Sequence, residues 1–368
     1  MESLVVSDIS KAQAAQRMGR AGRVSSGVCL RLYPEDSYAS LLETTQPEIL
    51  RVNLAQVVLQ LKGMGIHDPR CFSFLTPPKP ESIDKSFEVL VALGAIDKSM
   101  NLTAYGKEMS QLPLDPIYAN LLLRSSKFEC VSEMLTVVAM LSADNVFFRP
   151  AGRGGEDSGG LAARAAAAHR RFASYEGDLP SLLAVYNTWK KEAIYTRSGD
   201  RRKKQKLKKG RGSSKMLHGD WCGQNFINGR ALVRAHDVRS QLSDLCTRLG
   251  MDINSSCSSE MTTFYKCVCA GLFLQVATRL QAADLQGKSN ARLGQAGKIP
   301  LSRGHYKTRI GGHTVSVHPT SFMFGRNPAP KCVVYTDLLY TTRMYVRCVT
   351  QIKEEWLKDI SIQEITIK

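Results

Sequence analysis

The chain has 368 residues, a formal net charge of +17, and 43% hydrophobic and 23% charged residues. That length exceeds one small domain, and the composition is that of a globular protein with ample core material, which excludes a fibrous or wholly disordered chain. No apolar run follows Met1, and the longest, around Leu135 to Leu141, is too short to span a bilayer, so a soluble intracellular protein with no membrane partner is expected. The ten cysteines are scattered with no C-x-x-C pair, which argues against a zinc knuckle or redox pair and suits buried thiols in a reducing compartment. The positive charge favours a polyanionic partner, nucleic acid ahead of a membrane surface. It is unevenly spread: Arg197 to Lys215 holds ten basic residues and one acidic residue, about half of the whole excess.

Leu4 to Val6 reads as a short strand, and Ser10-Lys11-Ala12-Gln13 as a capping box that opens a helix ending at Gly19. Across that helix end runs the octet Gln16-Arg17-Met18-Gly19-Arg20-Ala21-Gly22-Arg23. Its arginines are three apart among small residues. The guanidinium fork fits phosphate oxygens, and the glycines allow a tight turn against a ligand. For an isolated R-x-x-R-x-x-R, a basic surface turn is the competing reading. Gly27 to Tyr33 has strand character with Val28, Leu30 and Leu32 on one face, which puts the arginines on a helix-to-strand connection at the edge of an α/β sheet.

Residues 47–112 have a winged-helix pattern. Asn53 caps a helix with Leu54, Val57, Val58 and Leu61 at helical spacing; Pro77, Pro78 and Pro80 form a connector; Ser82 caps a second helix with Ile83, Phe87, Leu90 and Val91 inward. Gly94 to Thr103 reads as a two-stranded hairpin. The second helix carries Lys85 against Asp84 and Glu88, so packing is expected of it rather than phosphate contact.

Residues 113–285 read as an all-helical bundle, with helices expected over Ala119–Leu123, Val131–Leu141, Leu179–Trp189, Phe226–Leu249 and Phe264–Leu280. Flexible insertions are expected at 151–163 and 197–216. The second is the basic tract, which reads as a nuclear-localisation signal, an RNA tether or a solvated loop. After Ile299-Pro300 the period becomes two, at Val315/Val317, Val333/Tyr335, Leu338/Tyr340 and Tyr345/Arg347/Val349, so residues 286–368 are expected to form a small barrel of the OB type, a fold that often binds single strands. His305, Tyr306, Arg309, His313 and His318 add basic and aromatic character, with one or two tyrosines expected to stack on bases. His313 and His318 have no Cys, Asp or Glu at ligand spacing, so no metal site is expected. The fold class is thus multidomain, mainly α with β.

Gln16 to Arg23 resembles motif VI of the DEAH-box RNA helicases, Q-R-x-G-R-A-G-R, at every defined position. The resemblance continues at Ser10-Lys11-Ala12, Pro47-Glu48-Ile49, Leu59, Leu61-Lys62, Gly65-Ile66, Leu102-Thr103 with Gly106, Pro113-Leu114 with Pro116, Asn225-Phe226-Ile227, Val317-His318-Pro319 with Ser321, and Tyr345-Val346-Arg347 with Val349-Thr350, in the family's order. It implies a remnant of a second RecA-like domain over 1–46, a winged helix, a ratchet-like helical domain and an OB fold. It also implies that Gln16, Arg20 and Arg23 meet the γ-phosphate of ATP, with Arg20 and Arg23 as catalytic arginine fingers. Arg17 is expected to pair with a neighbouring carboxylate. No G-x-x-x-x-G-K-[ST] loop and no D-E-A-H motif occurs, so ATP with magnesium would be held mainly by a region outside this chain, and the chain alone is expected to be inactive. The reading is a C-terminal fragment of an ATP-dependent helicase that translocates on single-stranded RNA and remodels RNA or RNP. Its alternative is a non-catalytic RNA- or protein-binding module derived from one. The resemblance further implies a glycine-rich activator protein as partner, a monomer, and work in splicing or ribosome biogenesis in the nucleus, with the cytoplasm as the other compartment.

Overall fold

The computed structural model describes residues 2–3, 8–143, 145–150, 158–199, 221–257, 260–280, 304–341 and 343–359. The insertion expected at 197–216 lies almost wholly outside them, and that at 151–163 lies half outside.

The chain opens with β1 (Glu2–Ser3) and α1 (Lys11–Met18). The capping box forms: the Gln13 N–H donates to the Ser10 hydroxyl and the Ser10 N–H to the Gln13 side chain. The segment after α2 (Glu35–Ala39) returns to α1, where the Lys11 and Ala12 N–H groups donate to the Leu42 and Glu43 carbonyls. The strand expected over Gly27 to Tyr33 is absent. Residues 26–31 have no regular structure, and Val28, Leu30 and Leu32 are more than 80% exposed. A strand's N–H and C=O groups need a neighbouring strand, and no described segment pairs with this one.

The winged helix comprises α3 (Ala55–Gly63), α4 (Pro80–Ala92) and α5 (Ala104–Ser110), with the wing reduced to a single bridge between Ile96 and Leu102. Leu54, not the expected Asn53, is the N-cap of α3; Asn53 stands one residue ahead and accepts the Ala55 N–H at 3.0 Å. Helix α4 starts two residues before the expected cap at Ser82, because Pro80 has the fixed φ suited to a first helical position. Ile83, Phe87 and Leu90 are buried, and burying each such side chain contributes about 1.5–3 kcal/mol, so the packing role expected of α4 holds. Lys62 is only 8% exposed; its ammonium donates to the Met100 carbonyl at 2.6 Å and to that of His67, tying α3 to the wing.

Helices α6 (Pro116–Arg124), α7 (Val131–Leu141), α8 (Ser158–Arg170), α9 (Asp178–Gly199), α10 (Gly229–Arg248) and α11 (Met261–Gly271) build the bundle. Winged helix and bundle share one core, which runs from Leu54 and Phe87 through Leu121 and Val138 to Phe264 and Val276. A second core gathers Met140, Tyr186, Trp189 and Leu232. The helix expected to run on to Leu280 stops at Gly271, and β2 (Val276–Arg279) is already the first barrel strand. The barrel therefore begins ahead of the boundary expected at 286.

The remaining strands are β3 (His305–Thr308), β4 (Thr314–Val317), β5 (Cys332–Val334), β6 (Asp337–Tyr340), β7 (Met344–Arg347) and β8 (Thr350–Ile352), followed by α12 (Glu354–Asp359). Their order is β1-β6-β7-β4-β3-β2-β5-β8, with β4 parallel to β7 and β1 parallel to β6. Strands β5 and β6 are two halves of one bent strand, as are β7 and β8. The β5 half pairs with β2, and the β6–β7 half reaches β4, so the ring β2-β3-β4-β7-β6/β5 closes. The bend falls at Cys348, whose φ of 48° is left-handed, and the pairing register is the same on both sides of it. That left-handed residue corrects the expected face Tyr345/Arg347/Val349: Val346 and Val349 point into the barrel core, and Tyr345 and Arg347 lie half-buried outside it. Of the cysteines, Cys29 and Cys71 are exposed and Cys348 is half-buried, whereas the other seven are buried as expected.

Candidate functional site

The octet Gln16–Arg23 crosses the end of α1 into a tight turn. The Gly19, Arg20 and Ala21 N–H groups donate to the Ala15, Arg17 and Met18 carbonyls at 2.9, 3.1 and 3.0 Å, which closes the helix in a 3₁₀-like turn. Gly22 then turns the chain at φ 79°, and the backbone doubles back so closely that a Cβ on Gly27 would sit 2.7 Å from the Gly22 nitrogen. Gln16, Arg17, Arg20 and Arg23 are all exposed. Among the described residues, no hydrogen bond or ion pair engages the guanidinium groups of Arg17, Arg20 and Arg23, so the carboxylate partner expected for Arg17 is not among them. The loop itself is anchored from behind: Ser10 and Thr45 share a hydroxyl hydrogen bond of 3.0 Å, and Lys11 pairs with Glu43 at 2.7 Å. A turn presenting three guanidinium groups that have no partner among the described residues has the chemistry to take phosphate oxygens. It contains no carboxylate, so the residues present fit the phosphate end of a nucleotide and not a magnesium ion.

A second basic surface lies where the barrel meets the bundle, and sequence reasoning missed it. Arg149 reaches the β4–β5 loop, donating from Nη1 to the Pro319 carbonyl at 3.1 Å and from Nη2 to Thr320 at 2.7 Å. In the same loop, the Arg326 guanidinium lies 3.5 Å above the Tyr175 ring and donates to the Tyr175 carbonyl. Such stacking contributes about 0.5–1 kcal/mol at an exposed site and holds the ring flat. Phe148, Tyr175 and Phe324 are exposed around this loop, while Phe147 beneath packs edge-on against Phe322 and His169. Burial, together with the Arg347 and Arg149 charges, lowers the His318 pKa below its ordinary value. Arg149, Arg326 and Arg347 make no ion pair among the described residues. Cations interleaved with exposed aromatic rings can take phosphates and stack bases. The alternation Phe147-Phe148-Arg149 and Phe322-Met323-Phe324-Gly325-Arg326 was the readable signal.

Other expected contacts are internal. Tyr306 is buried and donates from its hydroxyl to the Pro330 carbonyl at 3.1 Å, its pKa pushed up to about 12 by burial, so it does not stack on bases. His305 bonds the Ser316 hydroxyl at 3.0 Å, and His318 packs edge-on against Tyr345. Asn225 of the Asn-Phe-Ile run bonds Trp221 and Arg171, and the Phe226 carbonyl takes His169, so this run ties α8 to the bundle. A cleft of about 660 Å³ at the start of α9 and α11 is lined by Arg171, Glu176, Glu260 and Tyr265 among others. Its two carboxylates suit a polyanion less well than the Arg149–Arg326 face.

Between these surfaces the barrel is fastened to α9. Gln351 donates its N–H to the Glu176 carbonyl at 2.8 Å, Gly177 bridges Thr350, and the buried Asp178 carboxylate reaches Phe322 and Val349. Burial raises the Asp178 pKa, opposed by hydrogen bonds from Ser321, Phe322 and Val349 and by the Arg149 charge.

Comparison with known proteins agrees with this architecture. Residues 86–114 match the winged-helix part of the helicase associated domain (HA2), residues 115–182 its ratchet-like part, and residues 265–363 the oligonucleotide/oligosaccharide-binding (OB) fold. The OB match includes β2, consistent with the earlier start of the barrel. The chain is 36% identical over 360 residues to the ATP-dependent RNA helicase DHX33 of Mus musculus and, equally, to that of Homo sapiens, covering 97% of this chain and 44% and 43% of those proteins. It is 34% identical over 363 residues to the pre-mRNA-splicing factor ATP-dependent RNA helicase DEAH10 of Arabidopsis thaliana, covering 98% of this chain and 45% of that protein. The chain thus spans less than half the length of each of these relatives.

Proposed function

Since the chain corresponds to the C-terminal portion of the DEAH-box RNA helicases, we propose that it serves an ATP-driven enzyme that moves along single-stranded RNA and remodels RNA or RNP. Gln16, Arg20 and Arg23 would bind the γ-phosphate of ATP, and the two arginines would stabilise the charge that spreads over the transferring phosphoryl. ATP would supply the energy and magnesium would neutralise its phosphates, and this reading places the metal's ligands outside the chain, whose sequence has no G-x-x-x-x-G-K-[ST] loop and no D-E-A-H motif. The observation that carries the reading is the octet itself: three guanidinium groups on a rigid, exposed turn with no partner among the described residues. The Arg149–Arg326 face would grip RNA through phosphate and base planes without reading sequence. A nuclear role in splicing accords with the splicing name of the Arabidopsis relative; ribosome biogenesis, a glycine-rich activator and a monomeric state belong to the reading as expectations of the family resemblance. The experiment compares RNA-stimulated ATP hydrolysis by the whole helicase with that of this chain alone. Turnover in the first and none in the second is the expected result. Hydrolysis by the isolated chain would overturn the assignment of Arg20 and Arg23 to half of a composite site.

A further inference from the structure

One buried carboxylate joins the bundle to two separate parts of the barrel. Asp178 opens α9 and is only 7% exposed. Its Oδ1 accepts the Phe322 N–H at 2.8 Å, its Oδ2 accepts the Val349 N–H at 2.7 Å, and Ser321 adds a hydrogen bond. The Asp178 N–H donates back to the Val349 carbonyl at 2.9 Å, and the Leu179 N–H to the Thr350 hydroxyl at 3.2 Å. Phe322 belongs to the β4–β5 loop, whereas Val349 belongs to the bend between β7 and β8. Gly177 is pressed against that bend: at its φ of 123°, a Cβ would lie 2.3 Å from the Val349 carbonyl oxygen.

Two backbone donors meeting from different directions require two acceptor oxygens on one short side chain. An aspartate supplies both; an asparagine would turn one acceptor into a donor facing another donor. The same β4–β5 loop carries Arg326 and offers the Pro319 and Thr320 carbonyls to Arg149. Tyr175, which lies beneath Arg326, is three residues ahead of Asp178. We propose that Asp178 is a positioning residue that locks the β4–β5 loop and the β7–β8 bend onto the start of α9, and so holds Arg149, Arg326 and Tyr175 together as one RNA-binding face. This role rests on the RNA reading of that face.

The test uses the 368-residue chain, a fluorescent single-stranded oligouridylate, and the variants Asp178→Asn and Thr350→Val. Amide hydrogen exchange follows Phe322 and Val349, with Val137 and Val138 in the bundle core as internal references. In Asp178→Asn, protection of the Phe322 and Val349 amides should fall about tenfold or more while the reference amides keep theirs, and oligouridylate affinity should fall about tenfold. Thr350→Val, which removes only the acceptor of the Leu179 N–H, should shift both readouts the same way by less. It decides the matter by itself if Asp178→Asn does not fold. Lost protection with unchanged affinity would overturn the positioning role and leave a purely structural seam. Unchanged protection would overturn the lock. A wild-type chain that protects both amides yet fails to bind the oligouridylate would overturn the RNA reading of the face, and the positioning role with it.

Discussion

Removing the two cations of the barrel–bundle face should alter the salt dependence of RNA binding by a calculable amount. Arg149 and Arg326 are free of ion pairs among the described residues, so each can neutralise one phosphate. Each phosphate contact to a single strand contributes about 0.7 to the slope of log affinity against log salt, so Arg149→Ala with Arg326→Ala should flatten that slope by about 1.4. Over the roughly fourfold salt range from about 50 to about 200 mM, this amounts to a sevenfold change or so. The deficit of the double variant should therefore be about seven times larger at the low-salt end than at the high-salt end. Arg149→Lys with Arg326→Lys should restore the slope, because charge survives, while losing the fork across Pro319 and Thr320 and the stacking on Tyr175. Fluorescence anisotropy with a labelled single-stranded RNA across that range is the assay. Parallel slopes for wild type and the alanine double variant would show that these arginines do not meet phosphate.

Deleting Gly199 to Ser214 should lower RNA affinity and flatten the same slope if the basic tract tethers RNA, and an unchanged slope would reject the tether. Lys62→Met leaves the Met100 and His67 carbonyls without their donor and should cost about 2–3 kcal/mol in urea unfolding of the winged helix, whereas a loss below about 0.5 kcal/mol would deny the lysine a structural role. Three histidines contribute a pH dependence of definite sign, opposite to that of Asp178, whose raised pKa favours the folded state as pH falls. Burial first, with Arg149 for His169, Arg343 for His305, and Arg347 and Arg149 for His318, lowers all three pKa values from 6.5. Below 6.5 the unfolded chain then binds more protons than the folded one, so the stabilisation present above that pH is lost as pH falls. Thermal unfolding between about pH 7.5 and 5.5 should show a falling midpoint, and a rising midpoint would contradict these environments.

Much of the fold was legible because helices announce themselves locally. Val131 to Leu141 shows its length and burial in one apolar run, and α7 occupies those residues. Strands depend on partners, and the errors follow from that. Gly27 to Tyr33 has a strand's alternation, yet no strand forms because nothing described lies beside it to accept its hydrogen bonds. In the opposite sense, β2 is hidden in the continuous apolar stretch after Phe264, where periodicity cannot separate a buried helix from a buried strand. Pairing with β3 and β5 decides its state. Of the candidate surfaces, the octet can be read from the sequence because its residue types and spacing are contiguous. Asp178 cannot be, because its partners Phe322 and Val349 lie 144 and 171 residues away. The register of β7 and β8 escaped for a local reason: the left-handed Cys348 resets the alternation, and a cysteine gives no sign of that conformation.

The central claim concerns Arg20 and Arg23. It is tested most directly by RNA-stimulated ATP hydrolysis in the whole helicase carrying Arg20→Ala or Arg23→Ala, with RNA affinity measured alongside. Loss of a finger should lower turnover by about 10³-fold or more while RNA affinity stays at the wild-type value. Wild-type turnover in both single variants would contradict the assignment of these arginines to the γ-phosphate.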